Sequence, residues 1–258
     1  MSAKIGREWI FLMNTGLVSV TFRNLTPFEI IELTAKAGLD GIEWGGDIHC
    51  PPGDVSKAEE VFNMMTQRQL KCLSYGSYYK ARNGEDFLSI LAVATALHAP
   101  NIRIWVGEKG SLETDIATRK EIVSNIQQAA DMALEKGISI SFEYHANTLT
   151  DTIESTLLLL DEVSRPNVYT YWQPHLGSDI ESNLHDIRLL SDIGKLKNLH
   201  VYHELGGEWL PLADGRSAWE AYLAAATAEA AILEFVRGGV PEQFMRDAEV
   251  LRSIVCNA

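Results

Sequence analysis

A single-domain (β/α)8 barrel is the fold this sequence predicts, and three observations carry the prediction. Eight short segments, apolar and mostly β-branched or aromatic, alternate with eight helical ones along 258 residues. That is how strands buried on both faces should read. No strand candidate runs into a Gly-rich GxGxxG turn, which disfavours a long doubly wound sheet. The length suits one barrel core, and no Pro/Gly/Ser-rich linker divides it.

The elements follow in order. Residues 1–12 are expected to be an N-terminal extension and 13–258 the barrel. Trp9–Met13 is apolar but too short for a membrane span, and no small-residue cleavage site follows it. The first strand is expected at Leu17–Phe22. Thr26-Pro27-Phe28-Glu29 then reads as a capping box with proline at the first helical position, and Gly38 ends that helix. After the strand Gly41–Trp44, Ser56 and Glu59 repeat the box. Lys71–Tyr75 and Asn101–Val106 are the third and fourth strands. Helix Thr114–Lys136 carries Ile122, Ile126, Ala129, Ala130 and Ala133 on one face and closes at Gly137. Strand Ile138–Tyr144 precedes a helix opened by Asp151 and Glu154. Val168–Gln173, Asn198–His203 and Ala231–Val236 complete the strands, and Pro241 opens a last helix with Phe244, Ala248 and Leu251 on one face.

Composition excludes some functions. The net charge is -13 and no basic patch offsets it, so nucleic acid is a poor partner. No membrane partner is expected. Cys50, Cys72 and Cys256 are odd in number and far apart, which suits a reducing cytoplasm and gives neither a disulfide framework nor a metal-ligand spacing. A homo-oligomer is compatible with the sequence.

In barrels the chemistry sits at the C-terminal ends of the strands. There the sequence places Glu43 and His49 (second strand), Arg103 and Trp105 (fourth), Glu143 and His145 (fifth), Gln173 and His175 (sixth), His200 or His203 (seventh), and Glu234 and Arg237 (eighth). A carboxylate inside an apolar strand costs several kcal/mol unless it is paired or metal-bound. Glu143 and Glu234 are the clearest cases; the competing reading is an ion pair with Arg103 or Arg237. Two carboxylates, an imidazole and an amide oxygen make a mixed O/N set suited to one divalent ion, Mn, Mg, Co or Zn. Trp44, Tyr75, Tyr78, Trp105, Trp172 and Trp209 either line a sugar-shaped pocket or fill the barrel. Arg237-Gly238-Gly239 could hold a phosphate or carboxylate at a helix N-terminus.

Taken together, "KAGLDGIEWGGD", "IRIWVGEKGS", "ISFEYHANTLTDT", "LHVYH" and "AILEFVRGG" resemble the xylose-isomerase-like TIM barrel superfamily from about Leu17 to Val255. The fifth-strand stretch is closest to its dehydroshikimate dehydratase branch. The resemblance implies a metal held by Glu, Asp, His and Glu. Carried over, these are Glu143, Gln173 in place of the Asp, His200 (or His203 if the strand slides by three) and Glu234. It implies that His145 meets substrate. His175 stands two residues after Gln173, where the family often has a histidine three after its Asp.

The function expected is a divalent-metal-dependent sugar or sugar-phosphate isomerase or epimerase acting through an enediolate. Glu143 and Glu234 would hold the metal and exchange a proton; with His145 they form the catalytic set. Glu43, His49, Arg103, Trp105, His175 and Arg237 would bind a small sugar or polyol substrate. The alternatives are a 3-dehydroshikimate- or inosose-type dehydratase and a non-catalytic polyol-binding barrel.

Overall fold

The computed structural model describes residues 13–175 and 177–256, so the expected extension over residues 1–12 lies outside them. Eight parallel strands close a barrel, each followed by a helix. The barrel strands are β1 (Asn14–Val18), β2 (Gly41–Gly45), β3 (Lys71–Gly76), β4 (Asn101–Ile104), β5 (Ser139–Phe142), β6 (Val168–Trp172), β7 (Leu196–Val201) and β10 (Ala230–Leu233). Between β7 and β10, β8 (His203–Leu205) and β9 (Glu208–Leu210) form an antiparallel hairpin over the barrel mouth. The ring closes where Asn14 pairs with Ala230 and Gly16 with Gly41.

The helices begin where local chemistry supplies a cap. Thr26 and Glu29 form the reciprocal box at α1 (Pro27–Ala37), and Gly38, at φ 68°, ends it in a conformation that costs glycine nothing. In α4 (Ile116–Leu134) the five expected apolar residues are all buried. Phe244, Ala248 and Leu251 are buried on α8 (Pro241–Val255). Two caps differ from expectation. Asp54, not Ser56, accepts from Lys57 N at the start of α2 (Val55–Gln67). Thr152, not Asp151, accepts from Ser155 N at α5 (Ile153–Val163), because Asp151 is drawn away to accept from Ser111 N.

The first strand also differs. It runs over Asn14–Val18, and Ser19–Phe22 is a 3-10 turn. Asp40 accepts from both the amide and the hydroxyl of Thr15, fixing the early start. Ser19 Oγ then accepts from Gly45 N at 2.8 Å, so the chain leaves the sheet there. The seventh strand begins at Leu196 and ends at Val201, two residues before His203. Among the described residues, no helix is long and apolar enough to cross a membrane.

The barrel interior has two unlike halves. Val18, Leu73 and Ile232 cluster on the side of β1, β3 and β10. The other side is a polar column. Ser139 and Ser141 donate to Asn101 Oδ1 at 2.9 and 2.7 Å, and Asn101 Nδ2 donates to Ser74 Oγ and, at 3.3 Å, to the Tyr171 hydroxyl. Asn198 Nδ2 reaches the same hydroxyl at 2.7 Å. Every member is buried and hydrogen-bonded to another, as burial requires.

Candidate active site

The polar column ends at the C-terminal rim in a group of charged side chains. Three strands stop one residue short of a functional side chain: β5 at Phe142 before Glu143, β6 at Trp172 before Gln173, β10 at Leu233 before Glu234. The last ladder bonds thus hold backbones whose next side chains turn over the barrel mouth. His200 comes instead from within β7, as Arg103 does from β4 and Glu43 from β2, and all three are buried.

Glu143, His200 and Glu234 bring ligand atoms within 4.8 Å of one another. His200 Nδ1 lies 3.2 Å from Glu234 Oε2 and 3.1 Å from Gln173 Oε1. Its Nε2 is 3.4 Å from Glu43 Oε1, within ion-pair range but without the alignment of a hydrogen bond. Arg103 is 1% exposed and donates from Nε to Glu43 Oε1 at 2.7 Å and from Nη1 to Glu143 Oε2. The ion pair expected between Glu143 and Arg103 is therefore present, alongside the cluster rather than instead of it.

These contacts set the charges. Burial disfavours the charged form of Glu43, but Arg103 and His200 outweigh it and pull Glu43 down to about 2. Burial also works against a charged His200; Glu234 and Glu43 prevail and raise it to about 9. Without a metal, the imidazole carries a proton between the carboxylates. Burial lowers His175, which stays neutral.

Above the cluster opens a cavity of about 700 Å³. Trp105 and His145 stack on its wall with centroids 4.8 Å apart and planes at 26°. His145 Nδ1 donates to the Ala146 carbonyl at 2.6 Å, which leaves Nε2 as the nitrogen available to a ligand. Trp209, from the hairpin, stacks on Phe235 at 4.8 Å across the mouth. Tyr78, Asn147 and Phe235 line the cavity at φ of 58°, 61° and 57°, a strained region for side chains other than glycine.

A family profile described as xylose isomerase-like TIM barrel matches residues 31–250. The chain belongs to that family. Against curated proteins, this xylose isomerase-like barrel is 30% identical over 169 residues to 3-dehydroshikimate dehydratase of Bacillus anthracis, a match covering 60% of each chain. In fold it resembles the crystal structure of the probable 3-DHS dehydratase AsbF from Bacillus anthracis (TM-score 0.77, 20% identity, 93% of this chain and 99% of that one). It also resembles D-allulose 3-epimerase from Methylomonas sp. (TM-score 0.71, 17% identity, 95% and 98%).

Of the residues singled out in the sequence, this barrel brings Glu143, Gln173, His200 and Glu234 together, with Arg103, Trp105, His145 and His175 around the cavity. Three expected substrate contacts fall elsewhere. Glu43 is fully buried beneath the cluster. His49 is 4% exposed, its Nδ1 on Ser19 Oγ and its Nε2 near the Leu25 carbonyl, so the segment between β1 and α1 consumes both nitrogens. Arg237 stands exposed in the 3-10 turn Arg237–Gly239, outside the cavity. Tyr78, Trp105 and Trp209 line the cavity, whereas Trp44, Tyr75 and Trp172 fill the core. Arg23, Tyr202 and Phe235 line the cavity without having been singled out. For Tyr202 the signal existed: the alternation that turns His200 inward does the same two residues later.

Proposed function

We propose that this protein is a divalent-metal-dependent enzyme that enolises a sugar or sugar phosphate and reprotonates it, as an isomerase or epimerase. The observation that carries this reading is the approach of Glu143 and Glu234 to one point from β5 and β10, strands separated in the ring by β6 and β7. Two carboxylates facing one carbon from different sides can remove a proton on one face and return it on the other.

The donor set fits an ion. Two carboxylates, the His200 imidazole and the Gln173 amide oxygen converge, and His200 Nδ1 already faces two oxygens. These four would hold one Mn, Mg, Co or Zn ion. When bound, such an ion supplies the positive charge that acidifies a carbon next to a carbonyl and stabilises the enediolate. The chain's own residues do the rest. Arg103 pins one oxygen of Glu143 and so aims the other at the cavity. His145 offers Nε2 to a substrate hydroxyl. Trp105, Tyr78 and Trp209 present flat apolar walls to the carbon skeleton and exclude water. Trp105 Nε1, buried without a hydrogen-bond partner, is a donor suited to a substrate oxygen.

A dehydratase is the second reading, and the 30% identical curated relative favours it. There the same enolate expels a β-hydroxyl, which leaves as water with the proton that Glu143 or Glu234 took from carbon. Incubation with ketoses, their phosphates and cyclic polyol ketones in deuterated water tests both. Deuterium at the carbon next to the carbonyl of an intact sugar supports the isomerase or epimerase reading. Loss of water to a conjugated product supports the dehydratase. No exchange by metal-loaded protein with any of these classes would sink both and leave a polyol-binding barrel. Metal content tests the ligand set: Glu143→Gln and Glu234→Gln should each lower it, and stoichiometric metal in both variants would refute the set.

A further inference from the structure

We infer that Glu43 is a positioning residue that selects Nδ1 of His200 as the metal-binding nitrogen and, through Arg103, fixes Glu143 beside it. The inference rests on the metal-dependent reading above.

Glu43 sits at the middle of β2, is fully buried, and does not line the cavity. A carboxylate so placed needs partners, and it has them. Oε2 accepts from the Tyr171 hydroxyl at 2.8 Å, and Oε1 from Arg103 Nε at 2.7 Å. Oε1 also lies 3.4 Å from His200 Nε2. The two His200 nitrogens therefore meet different surroundings. Nδ1 faces the Gln173 amide oxygen and Glu234, both candidate ligands; among the described residues Nε2 has its ion-pair contact with Glu43. A neutral imidazole keeps its proton on one nitrogen and ligates through the other, and a carboxylate behind the ring fixes which is which. The negative charge of Glu43, 3.4 Å away, favours the proton on Nε2 without an aligned hydrogen bond. The ring plane is fixed as well, because Tyr171 meets it edge-on at 5.0 Å and 78°.

The fold makes room for this arrangement. At Gly76 a Cβ would lie 2.5 Å from Arg103 Nη2 and 3.2 Å from Glu43 Oε1, so the absent side chain lets the guanidinium reach both carboxylates. The Tyr171 hydroxyl is itself held by Asn198 and Asn101. The rival account is that Glu43 only neutralises Arg103.

The test uses the full chain, stripped of metal and titrated with zinc(II), which is diamagnetic. Calorimetry gives the affinity, and nitrogen NMR of the zinc-loaded protein gives the His200 tautomer. Glu43→Gln keeps the shape and removes the charge. It should weaken zinc binding 10- to 100-fold and lose the slowly exchanging Nε2 proton. Tyr171→Phe removes the other partner of Glu43 but leaves the carboxylate behind His200, so its zinc affinity should stay within about threefold of wild type. Glu43→Asp, read in parallel, keeps the charge for Arg103 but draws it back from His200, and should weaken zinc at least tenfold. It carries the test if the amide variant does not fold. Wild-type affinity with an unchanged Nε2–H signal in the Glu43 variants overturns the inference. So does equal weakening by Tyr171→Phe, which would show general damage to the barrel floor. If wild-type protein takes up no zinc, or retains it when Glu143 and Glu234 are both glutamine, the metal reading itself falls and takes the inference with it.

Discussion

Gln173 contributes a neutral oxygen where an aspartate would bring a third negative ligand. Around a divalent ion, Glu143, Glu234 and Glu43 would then be balanced by the ion and Arg103, leaving the cluster neutral. An anionic intermediate would be held well and the ion less tightly. Gln173→Asp is expected to tighten metal binding about tenfold, roughly 1.4 kcal/mol, and to slow turnover; titration of the stripped protein and steady-state rates check both. His200 gives a second prediction. Its folded value, about 9, lies above the roughly 6.5 of an unfolded imidazole. The proton therefore stabilises the metal-free fold fully below pH 6.5, by roughly 3 kcal/mol, and that contribution is lost as pH rises through 9. An incoming ion must displace the same proton. Apparent affinity should rise about tenfold per pH unit from pH 7 to 9 and then level off, a slope that calorimetry in buffers of different pH will show.

At the scale of elements, the strands are where sequence and structure part most instructively. Apolar runs mark their existence, since burial on both faces demands it, and all eight barrel strands fall within or beside the expected runs. Their ends are less legible. The apolar pattern continues through Val106, Tyr144 and Val236, but ladder pairing stops at Ile104, Phe142 and Leu233. Pairing depends on neighbouring strands, which one segment cannot reveal. Glu143 and Glu234 were legible because charge inside apolar runs is costly; Gln173 and His200, the latter against His203, were legible only through the family resemblance. The burial of Glu43 was not legible, because its partners, Arg103 and Tyr171, lie far along the chain on β4 and β6. Likewise the positive φ at Phe235 leaves no mark in residue type. The end of β3 offers a test. Gly76→Ala places a methyl 2.5 Å from Arg103 Nη2, so it should cost roughly 1–3 kcal/mol and lower metal affinity. Unchanged melting and metal binding would show that Arg103 has room to move.

For the whole molecule, closure depends on Asn14–Val18, which pair with both β2 and β10. Residues 1–12 precede that strand, and a chain beginning at Met13 is expected to melt within a few degrees of the full protein. A loss of several kcal/mol in denaturant would show that Trp9–Leu12 packs against the barrel floor. The divided interior bears on transplantation. Copied onto another barrel, the rim residues alone would set Arg103 and Glu43 above an aliphatic plug like that of Val18, Leu73 and Ile232. There the guanidinium would have no Tyr171, Asn198 or Asn101 beneath it to settle its partner. The portable unit is a wedge of five neighbouring strands, β3 to β7, taken to its full depth together with the two carboxylates, Glu43 and Glu234, that the flanking β2 and β10 bring to it.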